Sequence, residues 1–174
     1  MSRFYIPTLV FLLLVIEGTL FQLVTPYQHD IGVTIVPRFI VVMLVLIGIH
    51  FGRYSSIIYG LVLGLVYDIV YTQLLGVYMF GFGFIGYAFA YTYKLVQDSL
   101  LLHLLFVALA VSIFEYYQFG LYRLIGITDL SAIHFFNERF LPGLVLNIAF
   151  ATLVYIPVKK LFQYVGKQAS LRQR

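Results

Sequence analysis

Residues 57–91 read IIYGLVLGLVYDIVYTQLLGVYMFGFGFIGYAFAY. The stretch is apolar on both sides of a short polar connection at 72–76, so it reads as two membrane helices joined by a tight turn. Gly60, Gly64 and Asp68 recur every fourth residue and therefore share one helical face. Two glycines on one face let another helix approach closely in a membrane, where packing rather than hydrophobicity drives association. Asp68 lies one turn beyond them. An acid at that depth is costly, so it either faces protein, water or a partner, or caps the turn before Thr72 from the interface.

Composition sets the class. Of 174 residues, 62% are hydrophobic and 10% charged, with mean hydropathy +0.98. Soluble domains carry about 25% charged residues, so the chain reads as an all-α integral membrane protein, one domain over residues 1–174. The absence of cysteine excludes disulfides, thiolate metal sites and cysteine nucleophiles. The four histidines are scattered, with no pair at metal-ligand spacing.

Working outward from the central pair, the hydrophobic runs predict six spans at about 4–24, 33–51, 56–71, 77–93, 100–122 and 140–158. The first carries Glu17, which calls for an arginine on a neighbouring helix. Residues 25–32 (TPYQHDIG) predict a polar turn. Pro37 suits the first turn of the second span, and Arg38 beside it is a candidate counter-ion for Glu17 or Asp68. The fourth span is rich in glycine (Gly76, Gly81, Gly83, Gly86) and aromatics, and Gly83, Tyr87 and Tyr91 line up on one face as a helix contact or the wall of a cavity. Glu115 falls in the later half of the fifth span among tyrosines. The connection at 123–137 is of mixed character, and Ile133, Phe135 and Phe136 suit a short segment along the membrane surface. Asn147, well inside the sixth span, reads as interhelical glue.

Six spans put both termini on one side. Placing them in the cytoplasm assigns eight Lys and Arg inside (Arg3, Arg53, Lys94, Lys159, Lys160, Lys167, Arg172, Arg174) and three outside (Arg38, Arg123, Arg139). That split follows the positive-inside rule, and the basic tail at 159–174 suits anionic lipid. In this topology Glu17, Arg38, Asp68, Glu115 and Arg139 all occupy the outer half, where a polar cluster is geometrically feasible. No Ser-His-Asp, HExxH or phosphate-loop arrangement sits on a credible scaffold, so no enzymatic activity, cofactor or nucleic-acid partner is expected.

The order Pro37-Arg38-Phe39, then Tyr59-Gly60-x-x-x-Gly64-x-x-x-Asp68, then Leu75-Gly76-Val77-Tyr78-Met79-Phe80 resembles the rod shape-determining protein MreD family, and chain length, span count and basic tail agree along the whole chain. Pro37-Arg38 reverses the Arg-Pro order of many members. The resemblance implies a non-enzymatic component of the bacterial wall-elongation machinery in the cytoplasmic membrane. Its implied partners are MreC, the RodA glycosyltransferase, a class B penicillin-binding protein and MreB, and its fold would resemble the S components of energy-coupling-factor vitamin transporters. The resemblance also points to Gly60, Gly64, Asp68, Gly76, Gly83 and Tyr87 as partner-binding residues, with the Gly60/Gly64 face docking the MreC helix. The alternative is a true S component that captures a vitamin-like molecule. Against it, the first span contains no alanine, whereas S components present an Ala-x-x-x-Ala face there. A third reading has the outer arginines hold the phosphate of a lipid-linked precursor.

Overall fold

The computed structural model describes residues 4–72, 74–92 and 94–171. Arg3, Arg172 and Arg174 of the charge count, and Tyr93 at the end of the fourth span, lie outside them. The described residues form helices joined by turns, with no strand: α1 (Tyr5–Ile31), α2 (Phe39–Phe51), α3 (Arg53–Tyr71), α4 (Val77–Ala88), α5 (Lys94–Asp98), α6 (Leu100–Leu124), α7 (Ala132–His134) and α8 (Leu141–Leu171), with a π-helical turn at Phe135–Phe140.

The centre of the bundle is α2. Every residue from Phe39 to Ile49 is buried, and the helix touches α1, α3, α4, α5, α6 and α8. A helix apolar on all sides has no face to give to water and is enclosed by its neighbours. It is also short. Its 13 residues reach about 20 Å at 1.5 Å per residue, against a hydrocarbon core of about 30 Å. Residues 33–38 continue it as non-helical chain, so Pro37 stands before the helix rather than in its first turn. Non-helical backbone at membrane depth persists only where protein satisfies its polar groups. Asn147 does this, accepting from the Arg38 N–H at 2.7 Å and donating to the Val36 carbonyl at 3.2 Å. Thr34 N–H donates to the Glu138 carbonyl at 2.7 Å. That carbonyl is open because Pro142, four residues on, has no N–H to give it.

Three helical stretches are individually long and apolar enough to cross a membrane: Arg53–Tyr71, Leu100–Leu124 and Ala132–Gln168. Several predicted boundaries move. The polar turn at 25–32 is helical through Ile31, and Gly32 ends α1 in the left-handed conformation at φ 68°. The fourth span stops being helical at Ala88, short of the predicted 93. The last helical stretch starts at Ala132, eight residues before the predicted 140, and absorbs Phe135 and Phe136, of which Phe135 is buried. It then runs on to Leu171, so the tail continues as helix. At 25–32 and before 140 the sequence cue was local polarity, which does not by itself end a helix; α4 instead ends within apolar sequence.

Candidate functional site

The α3–α4 hairpin is built on glycine. A Cβ at Gly60 would sit 2.5 Å from the Phe82 carbonyl oxygen, and one at Gly64 would sit 2.5 Å from Met79 Cα. From the other side, a Cβ at Gly86 would meet the Ser56 carbonyl oxygen at 2.6 Å. The two backbones therefore touch along most of their length. The Gly60/Gly64 face expected to receive a partner helix is filled by the chain's own α4, so it is no external docking surface. Gly83 is buried in the same seam, against the Leu61 side chain. Tyr87 stays half exposed, with the Arg53 guanidinium 4.5 Å from its ring centre.

Asp68 closes the far end of the hairpin. Its Oδ2 accepts from Gly76 N–H at 2.8 Å and Met79 N–H at 3.0 Å, and its Oδ1 accepts from Tyr78 N–H at 2.9 Å. The first N–H groups of a helix have no partner within it and carry partial positive charge, so a fully buried carboxylate there satisfies both needs. Gly76 makes the turn possible at φ +99°, a conformation that favours glycine. Of the two readings of Asp68, the capping one describes this geometry, with the helix that follows the turn as the one capped. Its carboxylate forms no ion pair with Arg38, whose guanidinium is engaged by Glu115.

Glu17 does the same for α2. Fully buried on α1, it accepts from Ile40 N–H at 2.9 Å. Two short helices thus begin on an acid supplied by another helix.

The arginines assemble around Glu115. Arg38 Nε donates to Glu115 Oε1 at 2.5 Å, and Arg139 Nε donates to Oε2 at 3.3 Å. The rest of the Arg38 guanidinium donates to the Tyr78 hydroxyl at 3.1 Å and to Gln118 Oε1. It lies 5.0 Å from the centre of the Phe114 ring. A buried guanidinium is tolerated only when its donors are matched and its charge countered, and both conditions hold here. Of the predicted outer cluster, the fold joins Arg38, Glu115 and Arg139 directly, while Glu17 and Asp68 engage backbone N–H groups instead. Arg38 is paired with Glu115, which the sequence placed among the tyrosines of the fifth span with no assigned partner. Sequence reasoning missed Gln118 and Tyr78; the former is one turn along from Glu115, the only available signal.

At the opposite end of the bundle the fold brings His50 and His103 together, with ring centres 5.6 Å apart. Each Nδ1 lies within 3.0 Å of the carbonyl four residues earlier, which makes Nδ1 the protonated nitrogen of each neutral ring. Among the described residues no group of three or more His, Cys, Asp or Glu is placed to hold a metal.

The family model described as rod shape-determining protein MreD matches residues 2–165. The chain belongs to the MreD family. It is 33% identical over 169 residues to rod shape-determining protein MreD of Bacillus subtilis (strain 168), covering 97% of this chain and 98% of that one. No solved structure matches it. Membership makes it a rod-shape-determining membrane protein, and the motif that carried the resemblance now has a structural meaning within the MreD family. Tyr59-Gly60-x-x-x-Gly64-x-x-x-Asp68 and Leu75-Gly76-Val77-Tyr78 are the two halves of one glycine-packed, aspartate-capped hairpin.

Proposed function

We propose that the chain is a six-span, non-enzymatic scaffold of the bacterial wall-elongation machinery, one membrane domain with both termini in the cytoplasm, which binds MreC and through it RodA, a class B penicillin-binding protein and MreB. Membership of the MreD family along nearly the whole chain is the observation that carries this reading. Support for six crossings comes from the three long apolar stretches together with three shorter apolar helices, Tyr5–Leu20, Phe39–Phe51 and Val77–Ala88. Enclosure of α2 lets a 13-residue helix and its non-helical extension serve as one crossing.

MreC is the proposed occupant of the outward surface of the hairpin. The Gly60, Gly64, Gly83 and Asp68 contacts act from within by holding that surface rigid, and Gly76 sets the turn. Between α4 and α6 lies an apolar groove of about 240 Å³, with Gly81 in its floor and Phe80, Phe84, Ile113 and Tyr117 along its sides. A groove of aromatic side chains around a small residue suits a single transmembrane helix.

The test is site-specific photo-cross-linking in native membranes, followed by affinity purification of the full chain and mass spectrometry. A cross-linker at Phe84, in the groove, should capture MreC, whereas one at Ile156, exposed on α8, should not. Capture from Ile156 alone would move the interface off the groove. Co-purification of an ATPase pair with a membrane coupling subunit, in place of MreC, would favour vitamin uptake.

A further inference from the structure

The end of the bundle that carries the 33–38 segment also holds a cavity of about 110 Å³, lined by side chains from four parts of the chain: Thr34, Phe119 and Tyr122 of α6, Thr128 and Leu130, and the π-helical turn with Arg139. The cavity has room for about three or four waters. Its polar lining is rich in donors. Arg139 uses only Nε on Glu115; its two terminal nitrogens meet no acceptor among the described residues, and its side chain is 30% exposed. The hydroxyls of Thr34 and Tyr122 have no hydrogen-bond partner among the described residues. Thr128 Oγ1 accepts from Leu130 N–H at 3.3 Å and keeps its own proton to donate. Glu115 is shared between two guanidiniums, so one positive charge of the cluster has no ion-paired carboxylate of its own. The Arg123 guanidinium, outside the lining, lies 5.9 Å from the centre of the Phe119 ring that forms part of it. The one acid in the lining, Glu138, lies on the rim: its side chain is 48% exposed, and its carboxylate is 3.8 Å from His134 Nδ1.

We propose that this cavity is a binding site for a phosphate group, held by the terminal nitrogens of Arg139 and by the hydroxyls of Thr34, Tyr122 and Thr128. A planar guanidinium with two free nitrogens presents parallel donors to two oxygens of a tetrahedral anion, a match that a lone ammonium lacks. The aromatic wall of Phe119 and Phe135, stacked with centres 4.2 Å apart, borders the same space and suits the apolar part of a molecule entering from lipid. The shared chemistry is a phosphate ester or free phosphate, and both sources fit the donor set. The proposal is independent of MreC binding, which uses a different face.

Native mass spectrometry of the full-length chain released from detergent tests it, with three probes: phosphatidylglycerol, diacylglycerol, which has the same tails and no phosphate, and inorganic phosphate. Phosphatidylglycerol should bind about tenfold more tightly than diacylglycerol, equivalent to about 1.4 kcal/mol. Arg139→Lys and Tyr122→Phe should each weaken that binding several-fold, and Glu138→Gln should strengthen it by removing a rim carboxylate. Tyr122→Phe keeps the Glu115 pairing intact, so it reads the site even where Arg139→Lys fails to fold. Competition by millimolar inorganic phosphate assigns the site to the free ion as well; retention of the lipid adduct against it assigns the site to a headgroup. Equal binding of the two lipids with no phosphate adduct would overturn the proposal, as would wild-type binding in both Tyr122→Phe and Arg139→Lys.

Discussion

Replacing Asp68 with asparagine tests whether the hairpin depends on a charged cap. The side chain keeps its shape but loses one accepting oxygen. Two of the three bonds go to Oδ2 and one to Oδ1, so the best placement of the amide keeps Gly76 and Met79 N–H satisfied and turns an NH₂ group against Tyr78 N–H. Hydrogen bonds to a charged group are worth about 1.5–3 kcal/mol, and a buried donor left unmatched costs about 1–3 kcal/mol. The loss should therefore be about 2–3 kcal/mol for Asp68→Asn, and about 3–5 kcal/mol for Asp68→Ala, which abandons all three donors. For a chain of this size about 2–3 kcal/mol corresponds to a fall of roughly 4–12 °C in midpoint. The assay is thermal unfolding in a mild detergent followed by circular dichroism at 222 nm, because the chain has no tryptophan to report fluorescence. An Asp68→Asn midpoint within about 1 °C of wild type would refute the capping argument, since a cap of that strength cannot be lost silently. Rod-shape complementation by the same variant separates the roles: a stable protein that fails to restore shape would mean that the charge acts on a partner.

Glycine substitutions should divide sharply by position. Gly60→Ala places a methyl 2.5 Å from a carbonyl oxygen of α4 and should cost about 1–3 kcal/mol or abolish folded expression, whereas Gly120→Ala meets nothing within 4 Å and should be neutral or stabilising by up to about 1 kcal/mol; the same thermal scan reads both, and equal midpoints would refute the close-packed seam. Glu115→Ala leaves Arg38 buried without its counter-ion and should cost about 3–5 kcal/mol, visible as loss of monodisperse protein on size exclusion. Glu17→Gln keeps an oxygen for Ile40 N–H and should change stability by less than about 1 kcal/mol, whereas Glu17→Leu strands that donor and should cost about 1–3 kcal/mol. Urea-resistance or melting series on the pair would expose a purely electrostatic role for Glu17 if the order were reversed.

The hairpin motif was legible in the sequence because its logic is local. Glycines every fourth residue, an acid one turn on and a Leu-Gly turn all lie within about twenty residues, and fourfold spacing puts them on one face whatever the rest of the chain does. What spacing cannot say is which helix fills that face, since any helix in the membrane is a candidate. The tertiary structure chose α4, the next helix in the chain, and so turned an expected external contact into an internal seam. The arginine cluster shows the same limit at longer range. Arg38 and Glu115 are separated by 77 positions, and two acids and two other arginines were equally plausible partners by charge alone.

The resemblance carried by the hairpin motif pointed to the family; composition and periodicity by themselves determined that this is an all-helical membrane protein and roughly where its apolar helices run. Those properties follow from the cost of burying polar backbone in lipid, which each segment meets on its own. The enclosure of α2 at the centre of the bundle was decided only by the tertiary structure. So were the pairing of Glu115 with both Arg38 and Arg139, the use of Glu17 and Asp68 as caps for helices other than their own, and the donor-lined cavity beside Arg139. Each of these depends on which helix packs beside which. Between helices in lipid that choice rests on close steric fit and on matching individual hydrogen-bond donors to acceptors across the chain, quantities that exist only once the helices have met.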